Sequence, residues 1–172
     1  MMVLLPIIVA PDPRLKVKTQ PVSKVDNALI AFLDDMLETM YAADGIGLAA
    51  PQVADRRSLI VLDVSRSEDR PHPLYFINPE ILWSSEEQRI HQEGCLSLPE
   101  HYAEVTRPAS IRIKYWDKTG STQELEADGI LATCIQHEMD HLKGILFVDH
   151  VSSLKRHMIL RKLKKAKKSA MA

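Results

Sequence analysis

Two histidines and a glutamate near the C-terminal end have the types and spacing that metal-dependent hydrolysis needs. Residues 136–141 read Gln-His-Glu-Met-Asp-His, which contains the pattern His-Glu-x-x-His. Residues four apart share one face of an α-helix, so His137 and His141 could both bind one metal ion. Glu138 would then lie beside the metal, where a carboxylate can accept a proton from water. The segment predicts a buried helix carrying a metal site.

A catalytic metal site of this kind needs a third protein ligand and an open position. Two cysteines, Cys95 and Cys134, are present in the chain. Cys134 and His141 would lie ~10 Å apart along one helix axis, at ~1.5 Å per residue, which is too far for ligands of one ion. Cys95 follows Glu93-Gly94 in a distant segment and can approach from the side. We therefore predict that Cys95, His137 and His141 bind the metal.

A second segment has the composition of a loop that approaches a ligand closely. Residues 44–52 read Asp-Gly-Ile-Gly-Leu-Ala-Ala-Pro-Gln, with two glycines and several small side chains. Glycine allows the backbone to come near a ligand, although most such segments are only tight turns. The lysine and spacing of a phosphate-binding P-loop are missing, which excludes that interpretation.

The elements that must position these residues are predicted from periodicity. Apolar residues at three- and four-residue steps predict a helix from about Ser23–Asp26 to Gly45, and a charged loop is expected at 65–73. Alternating and β-branched runs predict strands at 58–64, 74–82 (interrupted at Pro79), 87–91, 103–105, 110–116 and 122–127. This order predicts an α+β fold in one domain, residues 1–172, with mixed or antiparallel sheets around the metal-binding helix and a C-terminal helix.

Composition excludes several classes of protein. The chain has 172 residues, 45% of them hydrophobic, and a formal charge of −1. Two cysteines do not make a secreted disulfide scaffold. The apolar segment 1–10 lacks a basic start, contains Pro6 and is too short to span a bilayer. We expect a soluble cytoplasmic protein without membrane contact.

The last 21 residues differ from the rest in charge. Residues 152–172 contain eight Lys or Arg and no Asp or Glu, so the body of the chain is acidic. Ser152 is expected to cap a final helix. Leu154 and Met158 form an early apolar stripe on it, and Ile159, Leu163 and Ala166 a later one. This helix either packs its first turns on the domain with its charges in water, or it contacts another molecule.

Three segments together resemble the three motifs of peptide deformylases. They are residues 45–52 (GIGLAAPQ), 93–97 (EGCLS) and 136–141 (QHEMDH), and they occur in that family's order. Residues 11–15 (PDPRL) are also similar to the family's opening, so the resemblance covers essentially the whole chain. It implies removal of the N-formyl group from the N-terminal formyl-methionine of nascent polypeptides, with release of formate.

The resemblance also implies residue roles. Glu138 is the proton shuttle, while the side-chain amide of Gln52 and the backbone N–H of Leu96 stabilise the oxyanion. Ile46, Gly47, Ile130 and Cys134 are expected to form the pocket for the methionine side chain. Glu93 and Asp140 either support the cysteine loop and the histidines or are solvated surface carboxylates.

The metal and partners are also expectations from the resemblance. One divalent ion is implied, with Fe2+ expected in the cell and Zn2+, Ni2+ or Co2+ in purified protein. The protein is expected to be a monomer that contacts the ribosome through its basic helix.

Two competing functions share parts of these motifs. A zincin-type protease shares His-Glu-x-x-His but takes its third ligand after that helix, where residues 143–150 do not supply the extended histidine pattern. A non-enzymatic metal-binding protein would need neither Glu138 nor Gln52.

Overall fold

The computed structural model describes residues 3–65 and 71–171, and its main element is a five-stranded antiparallel sheet. The sheet has the order β1-β2-β3-β6-β7. Its strands are β1 (Gly47–Ala49), β2 (Leu59–Leu62), β3 (Leu74–Ser84), β6 (Ser110–Trp116) and β7 (Thr122–Asp128). Of the charged loop predicted at 65–73, residues 66–70 lie outside the described part of the chain.

A second, two-stranded sheet carries the cysteine segment. It consists of β4 (Gln88–Cys95) and β5 (Leu98–Pro108), which pair antiparallel. Both strands are longer than the alternating pattern predicted. Their register shifts between Gly94 and Cys95, where the hairpin turns.

Three helices complete the fold: α1 (Asn27–Ala42), α2 (Gly129–His141) and α3 (Ser153–Met171). Side chains alternate between the two faces of the sheet, which are both buried at β1 and β2, whereas much of β7 and one face of β6 are exposed. On β2, Ile60 and Leu62 pack in the cluster that contains α2, whereas Leu59 and Val61 pack in the cluster that contains α1. The predicted α+β fold, with a central helix and a C-terminal helix, is confirmed.

The ends of α1 follow from its capping chemistry. The Asp26 carboxylate accepts a hydrogen bond from the Leu29 backbone N–H at 2.9 Å, as an N-cap does. Asp44, with φ of 58°, turns the chain out of the helix into the glycine-rich segment. The sequence predicts a loop for that segment, but it contains β1 and a 3₁₀ helix, Ala50–Val53. Pairing with β2 decides this, and pairing is a tertiary effect.

The C-terminal helix packs through its later apolar stripe. Ile159 and Leu163 are buried in a cluster with Phe147 and with β5 residues, whereas Leu154 and Met158 are exposed. Ser152 Oγ accepts a hydrogen bond from the Lys155 N–H at 3.2 Å, as the predicted cap requires. No helix in the described ranges is both long enough and apolar enough to cross a membrane.

We expect the turn after α2 to tolerate no side chain at Gly144. Its φ is +76°, and an added Cβ would lie 2.7 Å from the backbone carbonyl of Lys16. Gly120→Ala is the matched control, because Gly120 also has positive φ (+83°) but an added Cβ would meet only the Val25 side chain, at an ordinary contact distance of 3.8 Å. Left-handed backbone alone costs roughly 1–2 kcal/mol, and overpacking adds about 1–3 kcal/mol. Denaturant unfolding should therefore show a larger loss for Gly144→Ala, and equal losses would show that the contact with Lys16 adds no cost.

Candidate metal centre and active site

Helix α2 begins next to the end of β7 and carries both histidines into the interior. Gly129 has φ of +56°, which lets the chain turn directly from β7 into the helix. His137 and His141 are buried on one face, with their ring centroids 5.2 Å apart. Burial lowers the pKa of His141 well below its usual range. Its imidazole is therefore neutral, which is the form that binds metals.

The end of β4 brings the third donor to the helix. Cys95 lies at the hairpin turn opposite Leu98, and its Sγ is 3.3 Å from Nε2 of His141. One ligand atom from each of Cys95, His137 and His141 lies within 4.8 Å of the other two. A thiol and two imidazoles that converge in this way have the donor chemistry of a catalytic transition-metal site.

Cys134 lies elsewhere in the structure. It is buried in the core between α2 and the five-stranded sheet. Burial, and next the charge of Glu138, raise the pKa of its thiol to about 12. The thiol is therefore protonated at neutral pH, whereas a metal ligand must be a thiolate.

Buried ionic groups hold His137 in place. Its Nδ1 is 2.9 Å from Oε1 of Glu93, which leaves Nε2 for a metal. Arg107 donates to both Glu93 oxygens at 2.6 and 3.0 Å and to Asp140 Oδ2 at 2.9 Å. His150 Nε2 lies 2.7 Å from the same Asp140 oxygen. Burial raises the pKa of Glu93, but the hydrogen bonds from His137 and Arg107 outweigh it and bring the pKa to about 2.

The environment of Glu138 raises the pKa of its carboxyl group, whereas that of Glu93 lowers it. Burial raises its pKa to about 7, against the opposing effect of His137. Its Oε2 is 3.9 Å from His137 Nε2, and its buried Oε1 has no hydrogen-bond partner among the described residues. A Cβ added at Gly47 would lie 2.5 Å from Oε2, so glycine is required for this close approach. A carboxyl group with this pKa can both accept and donate a proton near neutral pH.

Gln52 is fixed beside the cysteine by its own hydrogen bonds. Its Oε1 accepts from the Ala49 N–H at 2.9 Å, so its Nε2 must point the other way. Nε2 lies 3.1 Å from Ser97 Oγ and 3.4 Å from Cys95 Sγ. The N-terminal residues 8–10 join the segments of Gln52 and Ser97 through backbone hydrogen bonds. The Ile8 N–H donates to the Gln52 carbonyl. In the same way Ala10 N–H donates to the carbonyl of Ser97.

A cleft of about 490 Å³ opens onto these groups. Its walls include Gln52, Cys95, Leu96, His137 and Glu138, together with Ala43, Asp44, Gly45, Ile46, Gly47, Gly94, Pro99, Glu100 and Tyr102. Two of the four residues predicted for the methionine pocket, Ile46 and Gly47, are therefore in its walls. Ile130 lies at the start of α2 with 49% of its surface exposed, and Cys134 is buried in the core.

The sequence interpretation missed several residues of this site, and Arg107 is the most important. On β5 the residues Ala103, Val105 and Arg107 alternate with exposed ones and are all buried. This period of two was a usable signal, because it puts an arginine on the inward face of a strand, where it must be paired. Ser97 lies in the motif at 93–97 but was given no role, and Glu100 carried no comparable signal.

A half-buried cysteine, two buried histidines, a carboxylate beside them and an open cleft define a metallohydrolase site. Residues 4–157 match the model of the polypeptide deformylase family. A peptide deformylase from Mesorhizobium japonicum is 53% identical over 163 residues, which are 95% of this chain and 93% of that protein. The chain therefore belongs to the polypeptide deformylase family.

Solved structures show the same similarity. The crystal structure of peptide deformylase from Ehrlichia chaffeensis in complex with actinonin has a TM-score of 0.92 and 38% identity, covering 96% of this chain and 98% of that one. A Met-Ala-Ser-bound structure of a class I type b peptide deformylase from Acinetobacter baumannii has a TM-score of 0.83 and 34% identity. It covers 88% of this chain and 100% of that one.

We expect Arg107→Leu to unfold the protein far more easily than the same change at an exposed arginine. Removing Arg107 leaves the Glu93 carboxylate buried without its cation, which typically costs about 3–5 kcal/mol. Arg112→Leu on β6 is the control, because Arg112 is exposed and 3.9 Å from its partner Glu124; exposed pairs contribute about 0–1 kcal/mol. The measurement is the free energy of unfolding in urea. A similar loss in both variants would show that the buried network contributes little.

Proposed function

We propose that this chain removes the N-formyl group from the N-terminal formyl-methionine of nascent polypeptides and releases formate. The observation that carries the proposal is the meeting of three distant segments, 45–52, 93–97 and 136–141, at one cleft in a chain of the polypeptide deformylase family. The Met-Ala-Ser bound by the Acinetobacter baumannii relative supports a methionyl peptide as the ligand of the cleft. Nascent chains are made in the cytoplasm, so the proposed location is cytoplasmic.

Cys95, His137 and His141 would hold one divalent metal ion. When bound, such an ion polarises a carbonyl oxygen and lowers the pKa of water. The thiolate and imidazole donors suit Fe2+, Zn2+, Ni2+ and Co2+, and we propose Fe2+ in the cell. Glu93 supports this role of His137, because its hydrogen bond to Nδ1 fixes the ring with Nε2 toward the other donors.

Glu138 is the proposed acid and base. With its pKa near 7, its carboxylate takes a proton from the attacking water and later delivers it to the amine nitrogen that leaves. Burial supports this role, because it keeps bulk water away from the carboxyl group. The contact with Gly47 supports it as well, because it limits how far the side chain can move.

Gln52 and Leu96 are the proposed oxyanion donors. An amide nitrogen carries two N–H groups, and Ser97 Oγ can accept only one from Nε2 of Gln52. The other is directed toward Cys95, where the formyl oxygen would need a donor. The side-chain pocket for methionine is proposed to use Ile46 and Gly47 in the cleft wall. Ile130 and Cys134, on α2, remain predicted contributors to it.

The direct test of the function is turnover of formyl-Met-Ala-Ser. Formate and a free amine should appear together, and acetyl-Met-Ala-Ser and an internal peptide bond should remain intact. Cleavage of the internal bond would favour a protease of the zincin type. Metal binding without any turnover would favour the non-enzymatic alternative.

The two cysteines provide a matched test of the ligand set. We expect Cys95→Ala to lose bound metal, because it removes one of three donors. Cys134→Ala should retain the metal, with a modest loss of stability from the core cavity that it leaves. The measurement is metal content per chain after anaerobic purification, which does not depend on activity. Retention by Cys95→Ala and loss by Cys134→Ala would overturn the assignment.

The chemical roles predict a graded loss of activity. Glu138→Ala should retain the metal but lose several orders of magnitude in kcat. The variant lacks the carboxyl group that accepts the proton from water and the one that donates it to the leaving amine, which are the same group. Gln52→Leu should lose roughly 10²- to 10³-fold in kcat, which is the scale of one oxyanion donor. Steady-state kinetics with formyl-Met-Ala-Ser measures both variants. Near-normal kcat in Glu138→Ala would exclude this mechanism.

We also propose that residues 1–172 form one domain, that the protein is a monomer, and that α3 contacts the ribosome. The side of α3 that carries Lys164, Lys165 and Lys168 is exposed. Ile159 and Leu163 of α3 are buried in the core, so deleting the helix would disturb the fold. A test of the ribosome contact should therefore replace the exposed lysines and keep the helix. Sedimentation velocity and a single unfolding transition test the monomer and the single domain.

We expect Lys164→Gln, Lys165→Gln and Lys168→Gln together to weaken co-sedimentation with ribosomes. Fewer phosphate contacts should also make the remaining binding less sensitive to salt. The triple Lys→Arg variant is the control that keeps the charge. Turnover of formyl-Met-Ala-Ser should stay unchanged in both. Equal ribosome binding by all three proteins would exclude α3 as the contact.

A further inference from the structure

A second cavity of about 290 Å³ adjoins the cleft. It lies between residues 100–102 at the start of β5 and one side of α3. Glu100 and Tyr102 belong to the walls of both cavities, so the two spaces meet at these side chains. The second cavity is therefore the neighbouring space for an extended chain that would leave the cleft past Tyr102.

The boundary between the cavities is held in a defined conformation. Glu100 has φ of +68°, in the left-handed region, which turns the chain sharply at the start of β5. The Tyr102 ring lies against Gly94, where an added Cβ would be 2.6 Å from the ring carbons. Tyr102 is 59% exposed and so presents an aromatic surface at the boundary between the two cavities.

The far wall of the second cavity is basic. Lys155, Met158, Ile159 and Lys162 are spaced as one face of a helix and line it together. Burial of Ile159 in the core fixes the rotation of α3, so this face is held toward the cavity. Among the described residues, neither Lys155 nor Lys162 forms an ion pair with a carboxylate. Two ammonium groups against the single carboxylate of Glu100 leave an excess of positive charge.

We infer that the second cavity binds the peptide chain downstream of the residues held in the cleft, and that Lys155 and Lys162 favour substrates with Asp or Glu there. This inference rests on the proposed function, because it extends the path of the same peptide. The second cavity adjoins the cleft in which the peptide is proposed to bind, and this favours a peptide over nucleic acid as its ligand. The apolar surface of Met158 and Tyr102 between the charges also suits a peptide, whose side chains alternate in character.

The test uses formyl-Met-Ala-Ser extended by Gly and Ser, with one Asp moved from the fourth to the eighth position and Asn as its neutral partner. Wild-type kcat/KM should be about two- to fivefold higher for Asp than for Asn at one or two adjacent positions, the scale of one or two exposed ion pairs. The difference should lie in KM, since contacts far from the reacting bond bind the ground and transition states equally. It should shrink as salt is raised.

The matched variants are Lys155→Gln/Lys162→Gln and Lys164→Gln. Lys164 is nine residues after Lys155, two and a half turns at ~3.6 residues per turn, and therefore lies on the opposite side of α3. The double variant should lose the preference for Asp and keep its kcat/KM for the Asn peptides. Lys164→Gln should keep the preference. Its loss in Lys164→Gln would indicate a diffuse charge effect of the helix and would overturn the inference.

The remaining outcomes separate this inference from the proposed function. Absence of turnover with every peptide contradicts the proposed function itself. Equal kcat/KM for Asp and Asn at all five positions overturns only the inference. If, in addition, a single-stranded RNA oligonucleotide inhibits the wild type and not the double variant, the cavity belongs to nucleic acid.

Discussion

The buried hydrogen bonds around Glu93 are the constraint on which the rest of the site depends. A carboxylate taken out of water needs a compensating cation, and Arg107 supplies it through two hydrogen bonds. Glu93 can then remain ionised against Nδ1 of His137, and the ring orientation follows. Arg107 also donates to Asp140 on α2, so one guanidinium ties the two-stranded sheet to the helix that carries His137 and His141. The position of Cys95 follows as well, because it lies two residues after Glu93 on β4.

The site separates two carboxyl groups by environment. Glu93, compensated by His137 and Arg107, has a pKa of about 2 and serves as a fixed negative charge. Glu138, buried without a direct cation, has a pKa of about 7 and can exchange protons. Such opposite shifts commonly separate structural from proton-transferring carboxyl groups in one site. Here the difference arises from the hydrogen bonds of His137 and Arg107, which reach Glu93 and not Glu138.

Close approaches at two glycines shape the cleft. Gly47 allows contact with Glu138, and Gly94 allows contact with the Tyr102 ring. The N-terminal arm then ties the Gln52 and Ser97 segments together through backbone hydrogen bonds. Helix α3 packs by Ile159 and Leu163 and leaves two differently placed basic surfaces, one facing the second cavity and one facing outward. The same charged helix therefore has room for two separate contacts.

The sequence alone determined the features that depend on local pattern. The helical spacing of His137 and His141, the distance along the helix between Cys134 and His141, and the start of α1 near Asp26 are all short-range properties of the chain. The strands at 110–116 and 122–127 were also predictable, since alternation is a local signal. The α+β class followed from the order of these elements.

The tertiary structure decided what depends on distant partners. The glycine-rich segment became a strand only because β2 lies beside it, and β4 and β5 gained their length from each other. Arg107 became the centre of the ionic network because β5 turns it inward toward Glu93 and Asp140. Glu100, Tyr102 and Lys162 lie around one cavity because the packing of Ile159 fixes α3 against the hairpin. Local pattern carries no information on which side chains meet across such distances, because packing and charge compensation select them.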